Sequence, residues 1–230
     1  MVKNKNIKNE DTFSEVEGAL TKTEQFIEDN QKILTIVIGA AVLIVAGYLS
    51  YTKLYIQPKE VDAQEQMFMA EQYFEKDSFN LAINGDGNYL GFLDIVDDYS
   101  MTKAGKLALY YTGISYLKMG QYEDAIEYLD GFNTEDVLLA PVALGAKGDA
   151  YVELGETDKA LSAYEKAYKL SDNEFTTPIY MMKAATLLES EEEAKKALDI
   201  YKIIKEKYPN TTEGRTIDKF IARAELKLNK

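Results

Sequence analysis

A glycine-rich segment contains the residues whose types and spacing come nearest to a ligand-binding loop. It reads Asn84-Gly85-Asp86-Gly87-Asn88-Tyr89-Leu90-Gly91. A calcium loop that starts at Asn84 needs Gly and Glu where the chain has Tyr89 and Ile95. A dinucleotide loop needs a strand before it and a third glycine three residues after the second. Here the flanking segments have a helical pattern, and Leu90 occupies the position of the third glycine. We therefore interpret the segment as an irregular loop between helices, with weak metal binding as the alternative.

The chain lacks the side chains on which most enzyme and metal sites depend. It contains no His and no Cys, which removes the commonest general base, the commonest metal ligand and the thiol nucleophile. We interpret the acidic residues Asp94, Asp97 and Asp98 as a solvated helix face rather than as paired catalytic carboxylates. The sequence thus predicts no catalytic, cofactor-binding or metal site, and a protein that is not an enzyme.

The charge of the chain is strongly acidic and unevenly distributed. A net charge of −13 argues against nucleic-acid binding, because such proteins need a basic face for the phosphates. Residues 60–136 contain 16 acidic residues and four Lys, whereas residues 137–230 contain 16 acidic and 15 basic residues. The acidic half is either a solvated surface that keeps the chain soluble or a docking site for a basic partner.

An uncharged segment near the N-terminus is long enough to cross a bilayer. Twenty residues without charge lie between Lys32 and Lys53, and at ~1.5 Å per residue they extend ~30 Å. A signal peptide would begin closer to the N-terminus, and a buried core helix is the other alternative. We predict a transmembrane helix over residues 33–55, with the lipid bilayer as a partner. Typical residues of this span are Ile33, Ile38, Leu43, Tyr48 and Tyr51.

Residues 1–32 are predicted to form a cytoplasmic tail. The lysines that flank the predicted span are equal in number at its two ends, but the tail adds Lys3, Lys5 and Lys8. Because basic segments stay in the cytoplasm, we expect a single-pass protein whose C-terminal part is exported. Apolar residues at near-helical spacing predict a short amphipathic helix in the tail, suited to a groove on a partner protein, with a weakly ordered tail as the alternative. These residues are Phe13, Val16, Leu20, Phe26 and Ile27.

The remainder of the chain, residues 59–230, contains a repeated pattern. The first copy has Gly113, Tyr116, Gly120, Ala125 and Leu129, and the second, 35 residues later, has Gly148, Tyr151, Gly155, Ala160 and Tyr164. A third, partial copy has Ala197, Tyr201, Ile204 and Pro209. This pattern resembles the tetratricopeptide repeat, a helix-turn-helix unit of about 34 residues. It predicts an all-α protein, in which one transmembrane helix precedes a tetratricopeptide-repeat solenoid with a C-terminal capping helix.

Each repeated residue type has a structural role in this interpretation. Gly113 and Gly148 let the two helices of a repeat approach closely, and small alanines do the same from the second helix. Gly120 and Gly155 end the first helices, where a positive φ is needed. The spaces between successive helices are filled by Tyr116, Tyr151, Tyr164 and Tyr201.

Both ends of the repeat region depart from the pattern. Pro58 is expected to close the membrane segment, and residues 59–103 read as a degenerate leading repeat. Its first helix carries the stripe Ala63, Met67, Ala70 and Phe74, and its second contains Leu90, Leu93, Ile95 and Val96. The capping helix has Ile217, Phe220, Ile221, Ala224 and Leu226.

First helices of such repeats line a groove, and counting from the glycines predicts which residues face it. The predicted groove residues are Leu107, Tyr110, Ile114, Leu117, Val142, Asp149, Val152 and Glu153. Family members that clamp a C-terminal carboxylate use Lys, Arg and Asn there, whereas these residues are apolar or acidic. The groove is suited to an apolar or helical segment, from a partner or from the same chain. Internal packing of these residues is the alternative.

The order of tail, span and repeats resembles the YfgM-like ancillary subunits of the bacterial SecYEG translocon. The pre-membrane segment is residues 25–32, with the sequence QFIEDNQK, and residues 84–99 are similar to forms from the Bacteroidota. The resemblance implies an inner-membrane protein whose periplasmic repeats pair with a PpiD-like chaperone and assist exported client chains. An inner-membrane scaffold of another cell-envelope assembly or secretion complex is the alternative.

Overall fold

The computed structural model describes residues 24–229, and it divides the chain into two compact units at Gln57 and Pro58. The predicted amphipathic helix of the tail depends on Phe13, Val16 and Leu20, which lie outside the described residues. The two units are described separately below.

The first unit contains the predicted membrane helix. Helix α1 is Gln31–Tyr51, and a π-helical turn, Thr52–Ile56, follows it. None of the residues of α1 is buried, and the rings of Tyr51 and Tyr55 stack with centroids 5.5 Å apart. Within the described part of the chain, this is the one helical segment long and apolar enough to cross a membrane.

Pro58 is the first residue of the second unit, and it lies inside a helix. Helix α2 is Gln57–Glu75, so Pro58 is the second residue of that helix. The π-helical turn directly before α2 widens the backbone where the proline ring would otherwise approach a carbonyl group of the preceding turn.

The second unit is formed by helices, which pack in sequential pairs. The helices after α2 are α3 (Phe79–Asn84), α4 (Phe92–Tyr99), α5 (Lys103–Lys118), α6 (Tyr122–Gly131), α7 (Leu139–Glu153), α8 (Thr157–Leu170), α9 (Thr177–Ser190), α10 (Ala194–Lys207) and α11 (Thr212–Leu228). Helices α5 and α6, α7 and α8, and α9 and α10 form three helical hairpins, and α11 packs on α10. The predicted all-α solenoid with a capping helix is confirmed. Leu226, assigned to the apolar face of that helix, is instead exposed.

The leading repeat differs from the predicted pair of helices. Its second helix is broken into α3 and α4, because Gly85 has φ +73° and a Cβ on Gly91 would lie 2.2 Å from the carbonyl oxygen of Ile83. The Asp86 carboxylate holds the loop between them: it accepts hydrogen bonds from the N–H groups of Tyr89 and Asn88, both 2.9 Å long. These N–H groups lower the pKa of Asp86. No cluster of acidic side chains in residues 24–229 is arranged to hold a metal ion.

Small residues set the distances between paired helices. Ala125, Ala160 and Ala197 are completely buried, and a Cβ on Gly113 would lie 2.6 Å from Cγ of Leu129. The predicted positive φ angles at the ends of the first helices are confirmed, at +77° for Gly120 and +72° for Gly155. Of the four repeat tyrosines, Tyr164 and Tyr201 are buried, whereas Tyr116 and Tyr151 are half-buried.

A second repeated motif, Tyr-x-x-Thr-x-x-Gly, spans the starts of the helices α5 and α11. The Thr102 hydroxyl donates to the carbonyl oxygen of Tyr99 at 2.7 Å and accepts from the N–H of Gly105 at 2.9 Å. Tyr208, Thr211 and Gly214 repeat this arrangement, with distances of 2.9 Å and 3.1 Å. The threonines therefore cap the two helices, and the glycines leave room for the tyrosine carbonyl groups. The sequence analysis did not identify this motif.

Candidate functional site

The first helices α5, α7 and α9 line two adjacent pockets of about 360 Å³ and 410 Å³. Asp149, Val152 and Tyr164 belong to both pockets, so we treat them as one inner groove. The other residues of the inner groove are Leu117, Lys118, Tyr122, Glu153, Met182, Lys183, Thr186, Leu187 and Ser190.

The inner groove contains some of the residues predicted for it. Leu117, Asp149, Val152 and Glu153 line it, whereas the remaining predicted residues lie elsewhere on the first helices. Tyr110 and Ile114 pack against the buried cluster of Leu129, Ala143 and Ala146, Leu107 packs against another core cluster, and Val142 is half-buried. Internal packing, the alternative considered above, therefore describes part of the predicted set.

An ion pair forms the polar part of the inner groove. Nζ of Lys183 lies 2.6 Å from both carboxylate oxygens of Asp149, and the Tyr164 hydroxyl donates to Oδ1 of the same carboxylate at 2.7 Å. Nζ of Lys183 also lies 5.8 Å from the ring centroids of Tyr164 and Tyr180, within cation–π range. Burial and the hydrogen bond to Asp149 raise the pKa of the Tyr164 hydroxyl, so it stays protonated and donates this bond.

Apolar side chains surround the ion pair. Val152 is 39% exposed in the groove, and Met182 and Leu187 line it from α9. An exposed apolar surface beside a fixed ion pair can bind an apolar side chain and orient polar groups of the same ligand. The arrangement is typical of a surface for recognition.

The contribution of α9 was not predicted from the sequence. The first helix α9, which carries Met182, Lys183, Thr186 and Leu187, lacks the Gly and Tyr of the repeat pattern at the matching positions. The sequence nonetheless contains a signal for this helix. Because the third copy of the repeat lies 37 residues after the second, Ala185 aligns with Gly148 and Thr186 aligns with Asp149. A small residue is thus kept at the close contact although its type changes.

Two glycines on α7 make room for Tyr164, which lines the inner groove, and for the neighbouring Tyr180. A Cβ on Gly148 would lie 2.4 Å from Cε1 of Tyr164, and a Cβ on Gly145 would lie 1.8 Å from Cε1 of Tyr180. The sequence analysis identified Gly148 through the repeat but not Gly145, which lies about one helical turn earlier. Both rings are buried, so neither can move without disturbing its neighbours.

Replacing Gly148 by Ala is expected to lower the free energy of unfolding by about 1–2 kcal/mol, because overpacking outweighs the better helix propensity of Ala. Urea unfolding, followed by helical circular dichroism, measures the change. In a Tyr164→Leu background the cost of Gly148→Ala should be much smaller, since the contacting ring is absent. An equal cost in both backgrounds would show that the close contact is not the cause.

The helical hairpins and their shared groove define this unit as a helical-repeat protein. Residues 110–175 and 146–210 match the tetratricopeptide repeat family. Residues 110–210 are therefore tetratricopeptide repeats. Such repeats generally serve as non-enzymatic adaptors, so protein partners are implied for this chain.

Two solved structures with similar folds are crystal structures of a putative kinesin light chain with nearly identical TPR-like repeats from Podosopora anserina. The first, a variant with a single substitution, is 13% identical with a TM-score of 0.56, and the second is 12% identical with a TM-score of 0.54. Each match covers 72% of this chain and 86% of the other. At these identities the likeness concerns the fold alone. A comparison with curated protein sequences found no match.

Proposed function

We propose that this chain is a membrane-tethered adaptor that holds a segment of a partner protein in the inner groove. The observation that carries the proposal is the groove itself, which joins the first helices of three successive repeats around Val152 and the Asp149–Lys183 ion pair. An extended or helical segment that crosses three repeats contacts more surface than a single pocket offers, which favours a peptide over a small molecule.

The membrane tether in this proposal is α1. Its length, its apolar composition and the exposure of its side chains support a position in the bilayer. The lysines of the tail, Lys3, Lys5 and Lys8, support an N-terminus in the cytoplasm and a repeat unit in the periplasm of a bacterial inner membrane. The inner groove would then meet proteins on the exported side.

As partners we propose the SecYEG translocon and a PpiD-like periplasmic chaperone, with exported chains as clients. The support is the resemblance in the order of tail, span and repeats, together with the segment that precedes the span. The alternative is a scaffold of another inner-membrane assembly. Tetratricopeptide repeats generally imply protein partners without specifying them, so only the partner itself can distinguish these functions.

Purification of the tagged full chain in mild detergent tests the partner assignment. We expect SecYEG subunits and a PpiD-like chaperone to copurify, and to be lost when residues 1–56 are replaced by an unrelated span. Recovery of a different envelope complex without translocon subunits contradicts this assignment but leaves the adaptor role intact.

A charge placed in the inner groove tests the role of the groove. Val152→Arg should weaken binding of the copurifying partner by at least about tenfold, since the partner's apolar contact would be replaced by a buried charge. Ile203→Arg is the matched control, because Ile203 is 40% exposed, close to the 39% of Val152, and lies outside the groove. Equal recovery of the partner with both variants argues against groove binding.

A further inference from the structure

One edge of the repeat unit carries the loops that lead into its first helices. We call it the tether edge, and define it as the first turn of α2 together with loops 100–102, 132–138 and 171–176. The N–H of Lys103 donates to Oε2 of Glu60 at 2.6 Å, which joins the start of α5 to the start of α2. The hydroxyl of Ser171 donates to the carbonyl oxygen of Val137 at 3.0 Å and joins the next two loops.

Large apolar side chains are exposed on the loops of the tether edge. Phe175 is 74% exposed, Val137 64%, Met101 60% and Leu138 43%. Val137 and Phe175 lie in two neighbouring loops that Ser171 connects, and we call the exposed apolar side chains of these loops the apolar patch. Large apolar side chains exposed together on one side of a folded surface mark a contact with another protein or with a membrane.

The far edge, formed by the turns 119–121, 154–156 and 191–193, differs in composition. Glu156, Glu191, Glu192 and Glu193 lie on it. Among the described residues of these three turns, Met119 is the one large apolar side chain that is exposed, at 39%. The turns of the far edge therefore expose fewer large apolar side chains than the loops of the tether edge.

The chain enters the repeat unit at the tether edge. Unit 2 begins at Pro58, immediately after the segment proposed to cross the bilayer, and Pro58 lies in the first turn of α2. The point of attachment to the membrane is therefore on the same edge as Phe175 and Val137. A protein surface tied to a bilayer at one edge meets the lipid first along that edge.

The charges of the tether edge indicate which lipid it suits. Asp136 accepts hydrogen bonds from the N–H groups of Leu138 and Leu139, so its carboxylate is used within the loop. Glu135 and Glu174 are exposed beside the apolar patch. In all, five acidic residues and one Lys lie on the tether edge. Because acidic side chains are repelled by anionic headgroups, the patch fits a zwitterionic lipid surface with no net charge.

We propose that the tether edge lies on the bilayer, with Phe175 and Val137 inserted among zwitterionic headgroups. Aromatic and aliphatic side chains are favourable at this depth because their apolar surface leaves water while nearby polar groups remain hydrated. The inference rests on the proposed transmembrane position of α1. Its consequence is an orientation: the far edge, with the turns that close the helical hairpins, would point away from the membrane.

The absence of Trp from the chain makes a single-tryptophan experiment possible. Full-length variants Phe175→Trp, Val137→Trp, Met119→Trp and Tyr48→Trp are reconstituted in phosphatidylcholine vesicles, with or without bromine on the acyl chains. We expect bromine to reduce the fluorescence of Trp at 175 and 137 by about half, as for a ring about 5–10 Å into the interface. Trp at 48 should be quenched more strongly, and Trp at 119 should be unaffected.

Different outcomes separate this inference from the proposal that it rests on. If Trp at 48 is quenched while Trp at 175 and 137 behave like Trp at 119, the tether edge does not contact lipid and the inference is wrong. If Trp at 48 is also unquenched, the proposal that α1 crosses the bilayer is wrong, and the inference that rests on it is wrong as well. If Trp at 175 is unquenched by bromine but shielded from acrylamide, with shielding that depends on protein concentration, the patch joins two copies of the chain, which overturns the lipid assignment.

Discussion

The variant Gly105→Ala is expected to lose about 3 kcal/mol of unfolding free energy, although Ala normally stabilises a helix. A Cβ at this position would lie 2.0 Å from the carbonyl oxygen of Tyr99 and 2.5 Å from its carbon. These are backbone atoms of a turn that Thr102 closes with two hydrogen bonds, so rotation of a side chain cannot relieve the overlap. The start of α5 must move, and the cap on that helix is lost with it.

Urea unfolding of the full chain in mild detergent, followed by helical circular dichroism, measures this effect. Gly131→Ala is the matched control, because its Cβ would lie 3.5 Å from Cδ2 of Leu109, an ordinary contact. We expect that control to change stability by less than about 1 kcal/mol, since only helix propensity is altered. Gly214→Ala should resemble Gly105→Ala, as its Cβ would lie 1.9 Å from the oxygen of Tyr208. If Gly105→Ala and Gly131→Ala are equally stable, the close approach of Gly105 to the Tyr99 carbonyl group does not constrain the start of α5.

The second large effect is expected at Glu189, the 3%-exposed carboxylate that joins α9 to the capping helix α11. Arg223 donates to its two oxygens at 2.7 Å and 2.6 Å, and the Tyr201 hydroxyl donates at 3.1 Å. Nζ of Lys227 lies 3.1 Å from Oε1. We expect Glu189→Gln to lower the free energy of unfolding by about 2–3 kcal/mol, because it removes the charge that two cations and a hydroxyl group contact.

The destabilisation by Glu189→Gln should depend on pH. Burial on its own raises the pKa of Glu189, but the hydrogen bonds from Arg223, Lys227 and Tyr201 outweigh it, and the pKa lies below the usual 4.5. The stabilisation is therefore complete above the unfolded pKa of 4.5 and is lost as the pH falls through the lower folded value. Wild type and Glu189→Gln should differ most near neutral pH and converge in acid.

The exposed ion pair of Lys205 and Asp218 provides the control, since it also involves the capping helix and joins it to α10 at 2.7 Å. Its side chains are 57% and 77% exposed, and solvent screening makes such pairs worth less than about 1 kcal/mol. Asp218→Asn should therefore be nearly neutral at every pH. A Glu189→Gln variant with the stability of Asp218→Asn would show that the buried carboxylate does not hold the capping helix.

The inner groove and the tether edge divide the repeat unit into surfaces with different chemistry. The groove combines Val152 and Met182 with the Asp149–Lys183 ion pair, which suits a protein segment that carries both apolar and polar groups. The tether edge presents the exposed apolar side chains of Phe175 and Val137, which suits a contact with lipid. Variants at Val152 and at Phe175 are therefore expected to separate partner binding from membrane contact.

The local patterns of the sequence determined the class of the fold. The uncharged run between Lys32 and Lys53 predicted one long apolar helix, and the recurrence of Gly113 as Gly148 predicted helical hairpins. These features are readable because each depends on residue types at short, regular spacing: a run of apolar side chains, or a small residue where two helices touch. The positive φ angles of Gly120 and Gly155 follow from the same local reasoning.

The tertiary structure decided which exposed residues share a surface. Phe175 and Val137 are 38 positions apart in the sequence, and only the packing of successive repeats brings their loops together. The inner groove likewise needs Lys183 from α9 to meet Asp149 from α7. Periodicity marks the positions that must be small or buried, because packing constrains them at every repeat. It leaves the solvent-facing positions free to vary, so their partners are determined by the assembled helices alone.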